Sequence, residues 1–147
     1  MPRNSVAYDD DFFAWTQEQA RLLRDGELAE IDVENLAEEI ESMGKSIRRE
    51  LRNRLALLIM HLLKWRYQPA FRSRSWSSTI IERRRQALDL IEESPSLASL
   101  LAGELSGIYA TAVTKASSDT GLAEASFPAT SPCTPEQILS EDFLPEG

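Results

Sequence analysis

Few side chains in this 147-residue chain are equipped for chemistry, and their spacing is informative. Glu50, Arg54, His61 and Gln68 fall within about 40° of one another when a helix is wound at 100° per residue. Glu50 precedes Arg54 by four residues, the favourable order for an intrahelical ion pair. As a site, this polar network would use His61, the single histidine, as acid or base and Arg54 as an anion binder. As structure, it would tie its helix to neighbours through hydrogen bonds, the usual fate of polar groups bordering a core. In that second case Arg54→Ala strands a buried partner, at a cost of about 3–5 kcal/mol.

A second cluster, Trp65, Arg72, Arg74 and Trp76, surrounds Pro69. Arginine beside aromatic rings suits stacking on bases or gripping a protein partner. It equally suits the closing of a bundle end, with Trp packed inward and Arg reaching a C-terminal carbonyl or an acidic tail. Other chemistries fail on inventory. One histidine cannot supply paired Glu-x-x-His ligands, and neither a G-x-S-x-G elbow nor a glycine-rich phosphate loop occurs. Glu38, Glu39 and Glu41 read as a solvated helix face, since no oxygen-rich loop accompanies them. Cys133 has no cysteine to pair with and no basic neighbour to activate it. No metal and no cofactor is expected.

The elements that must position these residues are helices, because no window alternates apolar and polar residues as a strand would. A first helix begins near Asp9 to Asp11, presents Phe12, Trp15, Gln19, Leu22 and Leu23, and stops at Gly26. Asp32 caps a second. Its apolar stripe, Leu36, Ile40, Met43, Ile47, Leu51, Leu55, Leu58, Leu62 and Trp65, keeps a mean step close to 3.6. The phase passes through Gly44, which predicts one long helix over about 33–67, with two helices meeting at Gly44 as the fallback. Pro69 ends it, and a loop from Ala70 to Trp76 follows. A third helix covers 77–93, with Ile80, Ile81, Arg84, Leu88 and Ile91 along one side. Ser94-Pro95 opens a fourth with an inner stripe of Leu97, Leu101, Leu105, Ile108, Ala112 and Ala116, ending before Gly121. The tail holds four of the seven prolines and one short turn, at the Thr134-x-x-Gln137 capping box. The fold class is thus an all-α, single-domain bundle of four to five helices over 1–121, with an irregular Pro-rich tail over 122–147 packed on the same domain.

Charge is segregated. Residues 1–44 hold 3 basic and 12 acidic side chains, 45–85 hold 12 and 2, and 86–147 hold 1 and 10. Neighbouring acidic and basic helices that neutralise one another account for this better than nucleic acid does, because the net charge of −8 opposes non-specific DNA binding. No apolar run approaches the roughly 18 residues of a membrane span, and the start lacks a signal-peptide core, so a cytoplasmic protein is expected.

Several stretches, taken in order, carry a resemblance. They are Tyr8-Asp9, Phe12, Trp15, Gln19-Ala20 and Leu22-Leu23; then Asp32, Asn35 to Ile40 and Met43-Gly44. The most specific are His61 to Trp65 with Gln68-Pro69, Arg72 and Ser75-Trp76. Ser94 to Leu97, Tyr109, Thr120-Gly121, Phe127-Pro128 and Pro132-Cys133 complete the series. Together, over nearly the whole chain, they resemble the bacterial domain of unknown function numbered twenty-nine, common in cyanobacteria and present in proteobacteria. The resemblance implies an all-helical stand-alone domain and supplies neither an activity nor catalytic residues. The residues support a non-catalytic protein-interaction or regulatory module in a bacterium, for instance the neutralising partner of another small protein. The alternative is a nucleic-acid-associated protein using the basic segment 45–85, with Arg72, Arg74 and the run Arg83 to Arg85. An enzyme built on Glu50, Arg54 and His61 ranks third.

Overall fold

The structure is a computed structural model that describes residues 7–146. It is all-α, with five helices and no strand among the described residues: α1 Phe12–Arg24, α2 Val33–Tyr67, α3 Arg74–Glu93, α4 Leu100–Thr120 and α5 Pro135–Leu139. Two compact units divide after Ser46, and α2 runs through the division as one helix of 35 residues. The unbroken apolar phase through Gly44 describes a single helix, and the glycine costs propensity without breaking it.

The first unit is a hairpin of α1 and the start of α2. Asp11 caps α1, its carboxylate accepting from the Ala14 N–H at 3.0 Å, and Gly26 at φ 71° makes the left-handed turn that follows. Asp32 secures the other corner. It accepts from Trp15 Nε1 at 3.0 Å and Asn35 Nδ2 at 2.9 Å, while its own N–H donates to Gln19 Oε1 at 2.7 Å. The Asn35 side chain, helped by Trp15, holds the Asp32 carboxyl below the usual carboxylate range. Tyr8 donates to Glu39 and meets Trp15 edge-on at 4.8 Å between centroids. Of the inner face expected for α1, Trp15, Gln19 and Leu22 are buried, but Phe12 and Leu23 stand 48% and 45% exposed.

The second unit holds the larger core. Leu51, Leu55, Leu58 and Leu62 of α2 pack with Ile80 and Ala87 of α3 and Leu101, Ile108, Ala112 and Ala116 of α4. The tail joins this core through Phe127, Cys133 and Ile138, and Tyr109 Oη donates to the Pro128 carbonyl at 2.6 Å. The Thr134–Gln137 capping box forms as expected and opens α5.

Two boundaries differ from those the sequence predicts. The loop expected over 70–76 is a 3-10 turn, Pro69–Phe71, after which α3 starts at Arg74, because Ser73 Oγ accepts from the Trp76 N–H at 3.1 Å and caps it. Ser94-Pro95 opens a 3-10 turn, Pro95–Ser99, and α4 begins only at Leu100. Inside α4, Glu104 leaves helical geometry at φ −123° and ψ 19°. Contrary to expectation, the span Pro95–Thr120 is long and apolar enough, by length and composition alone, to cross a membrane. Within this span Leu101, Ile108, Ala112 and Ala116 are buried in the core.

Arg84 was placed both on the apolar face of the third helix and in an exposed basic run. Its side chain is 2% exposed. Nε donates to the Ile138 carbonyl at 2.8 Å, Nη1 to Glu141 at 3.1 Å and Nη2 to Phe143 at 2.9 Å. One planar fork thereby satisfies three carbonyls of the tail, a geometry that an ammonium cannot reproduce. Arg84→Ala should therefore lower the unfolding free energy by about 3–5 kcal/mol in urea titrations, with Arg84→Lys recovering less than half. A loss under about 1 kcal/mol would show that the tail does not depend on this fork.

Candidate functional site

The polar network does not assemble as one constellation. Arg54 pairs with Glu50 one turn back, and its Nη1 donates to the Gln86 carbonyl of α3 at 2.7 Å. The partner is not buried: the Glu50 side chain is 50% exposed and that of Arg54 31%. The larger penalty expected for removing Arg54 is thus replaced by about 1 kcal/mol, the scale of a solvated pair and one hydrogen bond. Neither His61 nor the Gln68 side chain joins this pair through a hydrogen bond among the described residues.

His61 sits half-buried beside cations. Burial, then Lys64 and Arg83, push its pKa down to about 4, against a smaller upward pull from Asp119. The imidazole is neutral near pH 7, and among the described residues no carboxylate hydrogen-bonds it as one would orient a catalytic base. Lys64 itself is engaged, forming an ion pair with Asp119 of α4.

Of the second cluster the structure joins Arg72 to Trp65, while Trp76 packs with Lys64 and Phe71 instead. The Arg72 guanidinium lies 5.1 Å from the Trp65 ring centroid, and Nε donates to the Trp65 carbonyl in the last turn of α2 at 2.6 Å. Beside it, Lys64 Nζ lies 4.9 Å from the centre of the Trp76 ring, which stacks on Phe71 at 6.3 Å. Arg72 therefore occupies a helix-terminal carbonyl, while Arg74, the first residue of α3, is exposed. Arg72 Nη2 is enclosed without a hydrogen-bond partner among the described residues.

Two features were not read from the sequence. Arg48 and Arg52 both donate to Glu104, whose carboxyl they hold below the usual range, Arg48 most strongly. The kink at Glu104 adjoins an open cleft of about 440 Å³ bounded by Arg49, Arg52, Asn53, Gly107 and Thr111. The spacing of Arg48 and Arg52 marks one helix face, but nothing in the sequence identifies Glu104 as its counter-ion.

The other feature is apolar. The α2 stripe was expected to face a core along its whole length, yet it is buried only from Leu51 onward. Ile40, Met43 and Ile47 are 62%, 59% and 41% exposed, and every residue from Glu41 to Glu50 is exposed. Phe13, Leu28 and Val33 of the hairpin are likewise exposed. Periodicity shows that a face is apolar without saying which chain covers it.

Among the described residues no group of three or more His, Cys, Asp or Glu side chains could hold a metal ion. Burial raises the pKa of the Cys133 thiol and makes it a poor nucleophile. A family model, the domain of unknown function DUF29, matches residues 7–144. No curated protein and no solved structure matches the chain.

The neutral His61 has a consequence for stability. Its folded pKa of about 4 lies below the ordinary 6.5, so the unfolded chain takes up the proton first. The stabilisation from a neutral His61 is complete above 6.5 and is lost as pH falls towards 4. Urea unfolding of the parent should weaken more steeply over that interval than that of His61→Gln. Equal slopes would show that His61 titrates normally.

Proposed function

The chain belongs to the DUF29 family, and on that premise we propose that it works as a non-catalytic protein-interaction module of the bacterial cytoplasm. One observation carries this reading: a well-capped helical hairpin and the helix leading from it hold Ile40, Met43 and Ile47 in solvent. Isolated exposed apolar side chains are ordinary, but three in helical register on one face form a contiguous patch. Such a stripe is what helix-in-groove and helix-on-helix recognition use.

The candidate catalytic groups support the same reading by what they do instead. Glu50 and Arg54 pair with each other, and Arg54 also donates to the Gln86 carbonyl. His61 is neutral among cations, and Arg72 is committed to the end of α2. Much of the basic segment is likewise engaged internally, with Arg84 in the core and Arg48, Arg52 and Lys64 on carboxylates.

Because Ile40 is exposed, Ile40→Glu should leave folding intact while spoiling the stripe. Tagged parent and variant chains expressed in the native host, with an untagged copy of the parent present, should differ in what they retain on affinity capture. The interaction reading expects the parent to hold at least one protein, another copy included, that the variant loses. Identical captured sets would refute it.

A further inference from the structure

We propose that the exposed seam of α2 docks on the same seam of a second copy of this chain, the two helices running antiparallel. The inference rests on the interaction reading above and names its partner. Leu36, Ile40, Met43 and Ile47 follow one another at steps of four, three and four, the heptad spacing of a two-helix seam. The order is self-complementary. With a two-fold axis between Glu41 and Ser42, Leu36 of one copy meets Ile47 of the other, and Ile40 meets Met43. All four apolar positions are then matched with apolar positions.

Charge selects the direction. The first half of the segment carries Glu34, Glu38, Glu39 and Glu41, and the stretch after it carries Lys45, Arg48 and Arg49 against the single acid Glu50, with Arg48 also reaching Glu104. Antiparallel copies lay the acidic half of each beside the basic half of the other. Parallel copies would set like charges together along the whole contact, within the roughly 10 Å over which exposed charges act. A heterologous partner would have to supply both an apolar stripe and a charge gradient of the opposite sense, and a second copy already has both.

Space is available. Ala37 and Gly44 flank the seam two turns apart on the same side, and no atom lies within 4 Å of the position that a Cβ on Gly44 would take. Small residues at those positions let two helices approach closely. Both are exposed, as are Ile40, Met43 and Ile47. An isologous contact of this kind closes at two chains and leaves no free seam to propagate.

Sedimentation equilibrium of the purified chain tests the proposal. The parent should dimerise with Kd in about the micromolar range. Met43→Glu should weaken it by about a hundredfold or more, because each dimer then buries two unpaired carboxylates. Helical content of the variant by circular dichroism should match the parent. Direction is read in a Cys133→Ala background: an Ile40→Cys chain mixed with a Met43→Cys chain should form a disulfide-linked heterodimer under mild oxidation, in excess of either homodimer. A parent that stays monomeric at about 100 μM would overturn the proposal. So would a dimer indifferent to Met43→Glu, or one in which each cysteine variant links chiefly to itself. If the parent is monomeric but Ile40→Glu still abolishes capture of a different protein, self-association fails while the interaction reading stands.

Discussion

A helix in water is held mainly by what its apolar face packs against, since local propensity alone leaves short helices marginal. Between Glu41 and Glu50 every side chain of α2 is exposed, although Met43 and Ile47 lie within that stretch. Full burial of a side chain of this size is worth about 1.5–3 kcal/mol, so an uncovered stripe forgoes a substantial stabilisation. The two ends of the stretch are firmly held. Asp32 ties the start of α2 to Trp15, Gln19 and Asn35, and Leu51, Leu55 and Leu58 anchor its second half. The middle is a helix because both flanks are helical, and its exposed face is what the molecule has to offer another.

The segregated charges serve the same economy of contacts. Many of the basic side chains in the segment 45–85 have separate environments in the fold. Arg84 threads three tail carbonyls, Arg72 covers the end of α2, and Arg48 and Arg52 converge on Glu104. Lys64 reaches Asp119, while Arg49 and Arg74 remain exposed at the surface. The cations therefore do structural work within the second unit, leaving only part of the basic segment to define the surface field.

Elements with a strong local signal were legible from the sequence. The α2 limits at 33 and 67 follow from Asp32 and Pro69, and the capping box at Thr134 needs only two residues three apart. What escaped depends on tertiary context. Ser73 outcompetes the loop expected before Trp76 because its side chain finds an N–H to cap. Arg84 looks like one cation of three in a row, and its burial depends on carbonyls more than fifty residues away. The same holds for the candidate site: Glu50 and Arg54 pair because helix spacing alone brings them together, whereas His61 and Gln68 share their strip without sharing their bonds. The inward-facing half and the bare half of the α2 stripe have identical periodicity, so no pattern along one chain could separate them.

Hydrogen–deuterium exchange of the α2 amides over 40–50, followed as a function of protein concentration, tests the self-association of the seam most directly. A helix covered by a second copy opens less often, and its protection depends on how much of the chain is dimeric. Self-association predicts that these amides become more protected as concentration rises through the dimer Kd, while those near Leu55 and Leu58 stay constant. Protection over 40–50 that is unchanged by dilution across the same range would contradict it.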